Sequence, residues 1–182
     1  AACVITGTAR ALLMVERTFL NFVGRLSGVA TLTHAYVAAV RAVNETTRVL
    51  DTRKTTPGWR ALEKYAVACG GGHNHRMGLY DAVLIKDNHV EAAGGIEHAV
   101  HRALERAPRG VRVEVECDTL EQMERALNAG ATAVLLDNFS PAQVEVAVRW
   151  IAGRARVEVS GGVSLETVAA FARSGADEIS VG

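Results

Sequence analysis

The feature that most constrains this chain is a repeat. Runs rich in β-branched and other apolar residues begin at Val111, Ala133, Arg156 and Glu178, so successive starts fall 22 or 23 residues apart. Each run is followed or preceded by a stretch with helical periodicity, and one strand plus one helix per step is the period of a β/α unit. The expected strands are Arg48–Thr52, Ala82–Lys86, Val111–Glu116, Ala133–Asp137, Arg156–Ser160 and Glu178–Val181. Helices are expected at Gly58–Ala68, Ile96–Ala107, Leu120–Ala129, Pro141–Ala152 and Leu165–Ser174. Gly130 and Gly175 each follow a helix end, where the backbone turns left-handed before the next strand. The strands read as apolar rather than alternating, as strands covered on both faces do. A short, monotonous unit favours a barrel over an open sheet, and a closed barrel takes about eight strands. The expectation is therefore α/β: an incomplete, open β/α barrel of about six parallel strands over residues 47–182, lacking its last strands. Residues 1–46 read as a helical segment packing on it. There Leu12, Leu13, Phe19, Leu20, Phe22, Val23 and Leu26 recur at helical steps, Gly28 breaks the run, and Thr31 or Thr33 caps a second helix.

Composition narrows the function. The 182 residues carry 20 basic and 20 acidic side chains, so the chain lacks the basic excess on which nucleic-acid or membrane-surface binding rests. No apolar run reaches the ~18 residues of a membrane span. Cys3, Cys69 and Cys117 are odd in number and widely spaced, which suits a reducing, cytoplasmic setting better than a disulfide framework. The first residue is Ala and no basic stretch precedes an apolar run, so the expectation is a chain without a signal peptide and lacking its true start. Of the 20 cations only Lys54, Lys64 and Lys86 are lysines. A lysine retained against that bias marks a place where a compact ammonium serves and a planar guanidinium does not.

Chemistry in β/α barrels gathers at the C-terminal strand ends. Here those ends carry Arg53 and Lys54, Lys86, Glu116, Asp137, the run Ser160-Gly161-Gly162, and Gly182. Any one charged strand end is ordinarily just solvated; four consecutive ones read as a site. The glycine-rich ends expose backbone N–H groups and suit a phosphate, with a helix N-terminus expected near Leu165. The run Cys69-Gly70-Gly71-Gly72-His73-Asn74-His75-Arg76 reads as a freely moving loop delivering His75 and Arg76 to the same mouth. Zinc binding through Cys69, His73 and His75 lacks a second ligand pair at finger-like spacing. Carboxylate binding by Arg53, Arg76 and a histidine fits better, because guanidiniums grip carboxylates in bidentate fashion. Arg17, in a helix among apolar neighbours, is either a salt-bridged residue or an anion ligand. Cations beside carboxylates imply a polyanionic substrate with a divalent metal. Lys86 as a Schiff-base nucleophile is the competing enzyme class, and it requires apolar surroundings.

Several long strings go further. Glu16-Arg17-Thr18, Arg25-Leu26-Ser27-Gly28-Val29-Ala30-Thr31, Asp51-Thr52-Arg53-Lys54-Thr55-Thr56-Pro57-Gly58, Gly70-Gly71-Gly72-His73-Asn74-His75-Arg76 and Leu84-Ile85-Lys86-Asp87-Asn88-His89 occur in order. In these the chain resembles the quinolinate phosphoribosyltransferases. The resemblance implies transfer of phosphoribose from phosphoribosyl pyrophosphate to quinolinate with decarboxylation, giving nicotinate mononucleotide for NAD biosynthesis, with Mg2+. It implies that Arg53, His75 and Arg76 hold the quinolinate carboxylates, joined by Arg17 from the neighbouring subunit of a homodimer or higher oligomer. Lys54 and Lys86 would contact substrate carboxylate or the donor, Glu116 and Asp137 its ribose and Mg2+, and Ser160, Gly161, Gly162 and Gly182 its phosphate. Members of that family begin with a separate domain that this sequence does not contain. A related molybdate-transport-associated protein shares the Arg-Lys-Thr-Thr-Pro-Gly region and is the nearest alternative. An inactive, substrate-binding fragment is the non-enzymatic one.

Overall fold

The computed structural model describes residues 3–182. Its elements run α1 (Ala9–Arg41), β1 (Arg48–Leu50), α2 (Arg60–Cys69), β2 (Val83–Ile85), α3 (Asp87–Ala93), α4 (Ile96–Arg106), β3 (Val113–Cys117), α5 (Leu120–Asn128), β4 (Ala133–Asp137), α6 (Pro141–Ile151), β5 (Arg156–Ser160), α7 (Val168–Arg173) and β6 (Glu178–Ser180). Local signals set many boundaries. The hydroxyls of Thr119 and Ser140 accept from the backbone N–H of Gln122 and Gln143, satisfying donors that the first turn leaves free. Pro141 then opens α6, where its missing N–H costs nothing.

All six strands are parallel, in the order β1-β6-β5-β4-β3-β2. The open six-stranded barrel expected from the repeat is observed, but its opening lies elsewhere than expected. β6 pairs directly with β1, with Leu50 opposite Ser180, so no strand is lacking between them. The gap falls between β1 and β2. There the segment after α2 runs along β1: His73 N–H donates to Val49 O at 2.8 Å, and Asp51 N–H to His73 O at 3.1 Å.

The strands also alternate, against the uniform apolar reading. Val113, Val115, Cys117, Val134, Leu136, Val157, Val159 and Ile179 join the core beneath the helices. The residues between them, Glu114, Glu116, Leu135, Glu158 and Glu178 among them, take the opposite face, because side chains along a strand alternate. The barrel interior is therefore rich in charge.

Three helical expectations need correction. The N-terminal segment is one helix, not two: α1 runs 33 residues through Gly28 without a break. A mid-helix glycine costs only ~1 kcal/mol, and no proline stops the run. A helix that the sequence reading did not contain, α3, follows β2 directly. His89 Nδ1 accepts from Lys86 N–H at 3.0 Å, and Gly94 closes α3 in a left-handed turn (φ 79°). Finally, α7 starts at Val168 rather than near Leu165, because Ser164–Thr167 forms a separate hydrogen-bonded turn. Only the C-terminal part of α1 is buried, through Thr33, Tyr36, Val37 and Val40. Its earlier turns leave Leu13 and Met14 more than two-thirds exposed, with Val15 and Leu20 about half exposed. Among the described residues no helix is long and apolar enough to cross a membrane.

Candidate active site

The C-terminal strand ends enclose a cavity of about 180 Å³. It is lined by Arg53 and Lys54 after β1, His75 and Arg76 from the bridging segment, Lys86 after β2, Glu116 on β3, and Glu158 and Ser160 on β5. Leu84 and Leu135 supply apolar walls that the sequence reading did not single out. Two of the three lysines sit here, as the composition suggested. Lys86 Nζ meets Glu116 Oε2 at 2.5 Å with its side chain 43% exposed, an ion pair rather than the apolar pocket a Schiff-base lysine requires.

Cations outnumber acids at this mouth. Arg53 Nε is buried with no partner among the described residues, and an unpaired guanidinium N–H calls for an acceptor. Burial and the neighbouring Arg53 charge pull the Arg76 pKa below its ordinary value. Its guanidinium is held in part by Ala82 O at 3.3 Å.

Beneath the cations lies a layer of glutamates. His75 Nε2 stands 3.4 Å from Glu114 Oε2 and 3.3 Å from Glu158 Oε2. Arg112 closes the layer from below, at 2.6 Å from both Glu114 and Glu178, and Arg156 reaches Glu178 at 3.1 Å. Hydrogen bonding to Glu114 and Glu158 raises the His75 pKa to about 9, and burial raises that of Glu158. Working the other way, Arg76 N–H donates to His75 Nδ1 at 2.7 Å, so the ring's first proton sits on Nε2, facing the carboxylates. That geometry makes the His75, Glu114 and Glu158 group a shared-proton cluster rather than a metal centre, since Nε2 is the nitrogen a metal would need. Sequence reasoning missed Glu114 and Glu158. Their signal was a glutamate flanked by valines in each of two strands.

The remaining predicted residues fall in three places. Asp137 lies on the rim, where its carboxylate accepts from Ser160 Oγ at 2.7 Å and Asn138 Nδ2 at 2.8 Å. Gly161 (φ 83°) and Gly162 (φ 63°) follow Ser160, and a Cβ on Gly161 would meet Asn138 Oδ1 at 2.2 Å. These glycines precede a turn and not a helix end, so the expected helix dipole is absent from the loop. Gly182 sits against Thr52 and Lys54, where a Cβ would meet the Lys54 stem at 3.3 Å. Arg17 is not brought to this cavity; it lies on the outlying part of α1. The zinc trio is not assembled either: Cys69 is exposed at the end of α2, while His73 bonds β1 and His75 the glutamates.

Residues 29–182 match the family model described as "Quinolinate phosphoribosyl transferase, C-terminal domain". A Bacillus subtilis protein named probable nicotinate-nucleotide pyrophosphorylase (carboxylating) is 47% identical over 97% of this chain and 60% of its own length. The Mycobacterium leprae nicotinate-nucleotide pyrophosphorylase (carboxylating) is 49% identical over 98% of this chain and 63% of its own. The crystal structure of NadC from Streptococcus pyogenes superposes with a TM-score of 0.90 at 45% identity, over 97% of this chain and 61% of that one. The chain thus spans about three-fifths of the length of these relatives. With sequence match and fold in agreement, the chain belongs to the quinolinate phosphoribosyltransferase family, of which it carries the C-terminal domain.

Proposed function

We propose that this chain carries the active site of a cytoplasmic quinolinate phosphoribosyltransferase. The enzyme converts quinolinate and phosphoribosyl pyrophosphate to nicotinate mononucleotide, pyrophosphate and carbon dioxide, a step of NAD biosynthesis. The observation that carries this reading is the gathering of Arg53, Lys54, His75, Arg76 and Lys86 around one small cavity. An engineered cavity of ~150 Å³ holds benzene, so about 180 Å³ suits one six-membered ring with small substituents. Leu84 and Leu135 suit the ring, and the guanidiniums its two carboxylates.

Arg53 and Arg76, the latter fixed through its N–H on the His75 ring, hold the diacid so that the pyridine nitrogen faces the ribose carbon. The nitrogen lone pair forms the new C–N bond as the C–O bond breaks and its electrons leave with pyrophosphate. Lys54 and Lys86 balance that departing charge. Loss of carbon dioxide then leaves an electron pair on the ring carbon beside the cationic nitrogen, and that carbon takes up a proton. Ser160 and the backbone N–H groups of Gly161 and Gly162, with Gly182 beside Lys54, form the phosphate side. Glu116 and Asp137 lie on neighbouring strands and offer hard oxygen donors. Two carboxylates plus substrate phosphate are what Mg2+ takes, so the pair fits that ion. Bound there, Mg2+ would neutralise pyrophosphate. Arg17 joins the site of a partner subunit in a homodimer; its helix carries the exposed apolar row that such a contact would bury.

Affinity for one carboxylate against two tests this reading. Calorimetric titration should show quinolinate binding at least ~10-fold tighter than nicotinate, which leaves a half-buried guanidinium unpaired. Equal affinities would contradict it.

A further inference from the structure

Lys64, the lysine that lies off the strand ends, is only 1% exposed on α2. Its ammonium pairs with Asp51 and donates to His75 O at 2.9 Å. Asp51 Oδ1 in turn accepts from His75 N–H at 2.8 Å. One buried ion pair thus holds the backbone on both sides of His75. Oriented to satisfy its neighbours, the Asn74 amide adds bonds to Asp51 Oδ2 at 2.8 Å and Lys64 O at 2.9 Å.

Neither Asp51 nor Lys64 lines the cation-rich cavity, so neither is placed to touch a ligand there. Burial pushes the Asp51 carboxyl upward against the pull of Lys64, so the pair carries a desolvation cost. A buried ion pair is seldom more stabilising than an apolar pair of the same volume; its best-attested use is to select one arrangement. The arrangement at stake is that of residues 73–76, which make one bridge to β1 and belong to no strand or helix. Arg76 depends on it twice, since its N–H also bonds the His75 ring.

We propose that Asp51 and Lys64 are positioning residues, a clamp on the His75 backbone that sets where the adjoining Arg76 meets the substrate's carboxylates. This rests on the cavity being the quinolinate site.

Lys64→Met alone strands the Asp51 carboxylate and endangers folding, so the test pairs it with the double variant Asp51→Leu/Lys64→Met. Hydrogen exchange should quicken at residues 73–76 while β3, β4 and β5 keep their protection. Quinolinate affinity should fall ~10- to 100-fold, with affinity for phosphoribosyl pyrophosphate changed less than ~2-fold. In an Arg76→Ala background the same pair of substitutions should cost under ~3-fold, because residues acting through one another are not additive. Unchanged exchange at residues 73–76 overturns the clamp, as do equal losses for both ligands. Should the unaltered chain fail to bind quinolinate, the substrate reading falls, and the exchange result alone then decides the clamp.

Discussion

At His75 one ring faces two carboxylates while its other nitrogen accepts a backbone N–H, and the proton balance of the site follows. The His75 pKa is drawn up to about 9 by Glu114 and Glu158, and burial raises that of Glu158 as well. Both groups hold their proton more tightly folded than unfolded, so the cluster binds an extra proton on folding near neutrality. The stabilisation is full below the unfolded histidine value of about 6.5 and is lost as pH climbs through about 9. Between those values stability should fall as pH rises, and the variant His75→Gln should lose far less. Thermal melts of both across this range check it; a wild-type midpoint indifferent to pH would contradict the cluster. The cations above it were legible in the sequence because a charged residue ending an apolar strand stands out. Glu114 and Glu158 were not, since a glutamate between valines passes for a solvated strand residue until the strand is known to curve inward. Lys64 was visible as one of three lysines, but its burial is a consequence of the α2 packing alone.

Elements were more legible than their edges. Strands β4 and β5 have their expected bounds because a polar residue and a glycine or asparagine follow each closely. The helix α3 was hidden because Lys86-Asp87-Asn88-His89 carries site-like residues and reads as a strand end. Gly28 suggests a break in α1, but no tertiary contact there asks for one and the helix runs on. The three glycines after α2 suggest freedom, but two of them mark a close approach: a Cβ on Gly70 would clash with Ala30 O, and one on Gly72 would stand 2.7 Å from Thr33 Cγ2. At the other rim, Gly161 combines a left-handed backbone with contact against Asn138. Gly161→Ala should therefore cost ~1–3 kcal/mol of stability and weaken binding of phosphoribosyl pyrophosphate, leaving quinolinate affinity within ~2-fold. Denaturant melts with two ligand titrations test this, and an unchanged donor affinity would remove Gly161 from the phosphate site.

Across the whole molecule, the barrel buries only the last turns of α1 and leaves an apolar row outside, with Arg17 on the same outlying stretch. In the proposed homodimer a second copy of the chain would make use of both. Mixed subunits carrying Arg17→Ala and Arg76→Ala, each inactive alone, should regain about one quarter of wild-type activity through random pairing. No recovery in a confirmed mixed dimer would show that Arg17 does not cross between sites. Release of carbon dioxide from carboxyl-labelled quinolinate by this chain should require phosphoribosyl pyrophosphate and Mg2+ together, and stop when either is left out. Release that continues without phosphoribosyl pyrophosphate, or none from a folded chain given all three, would contradict the proposed activity of this polypeptide.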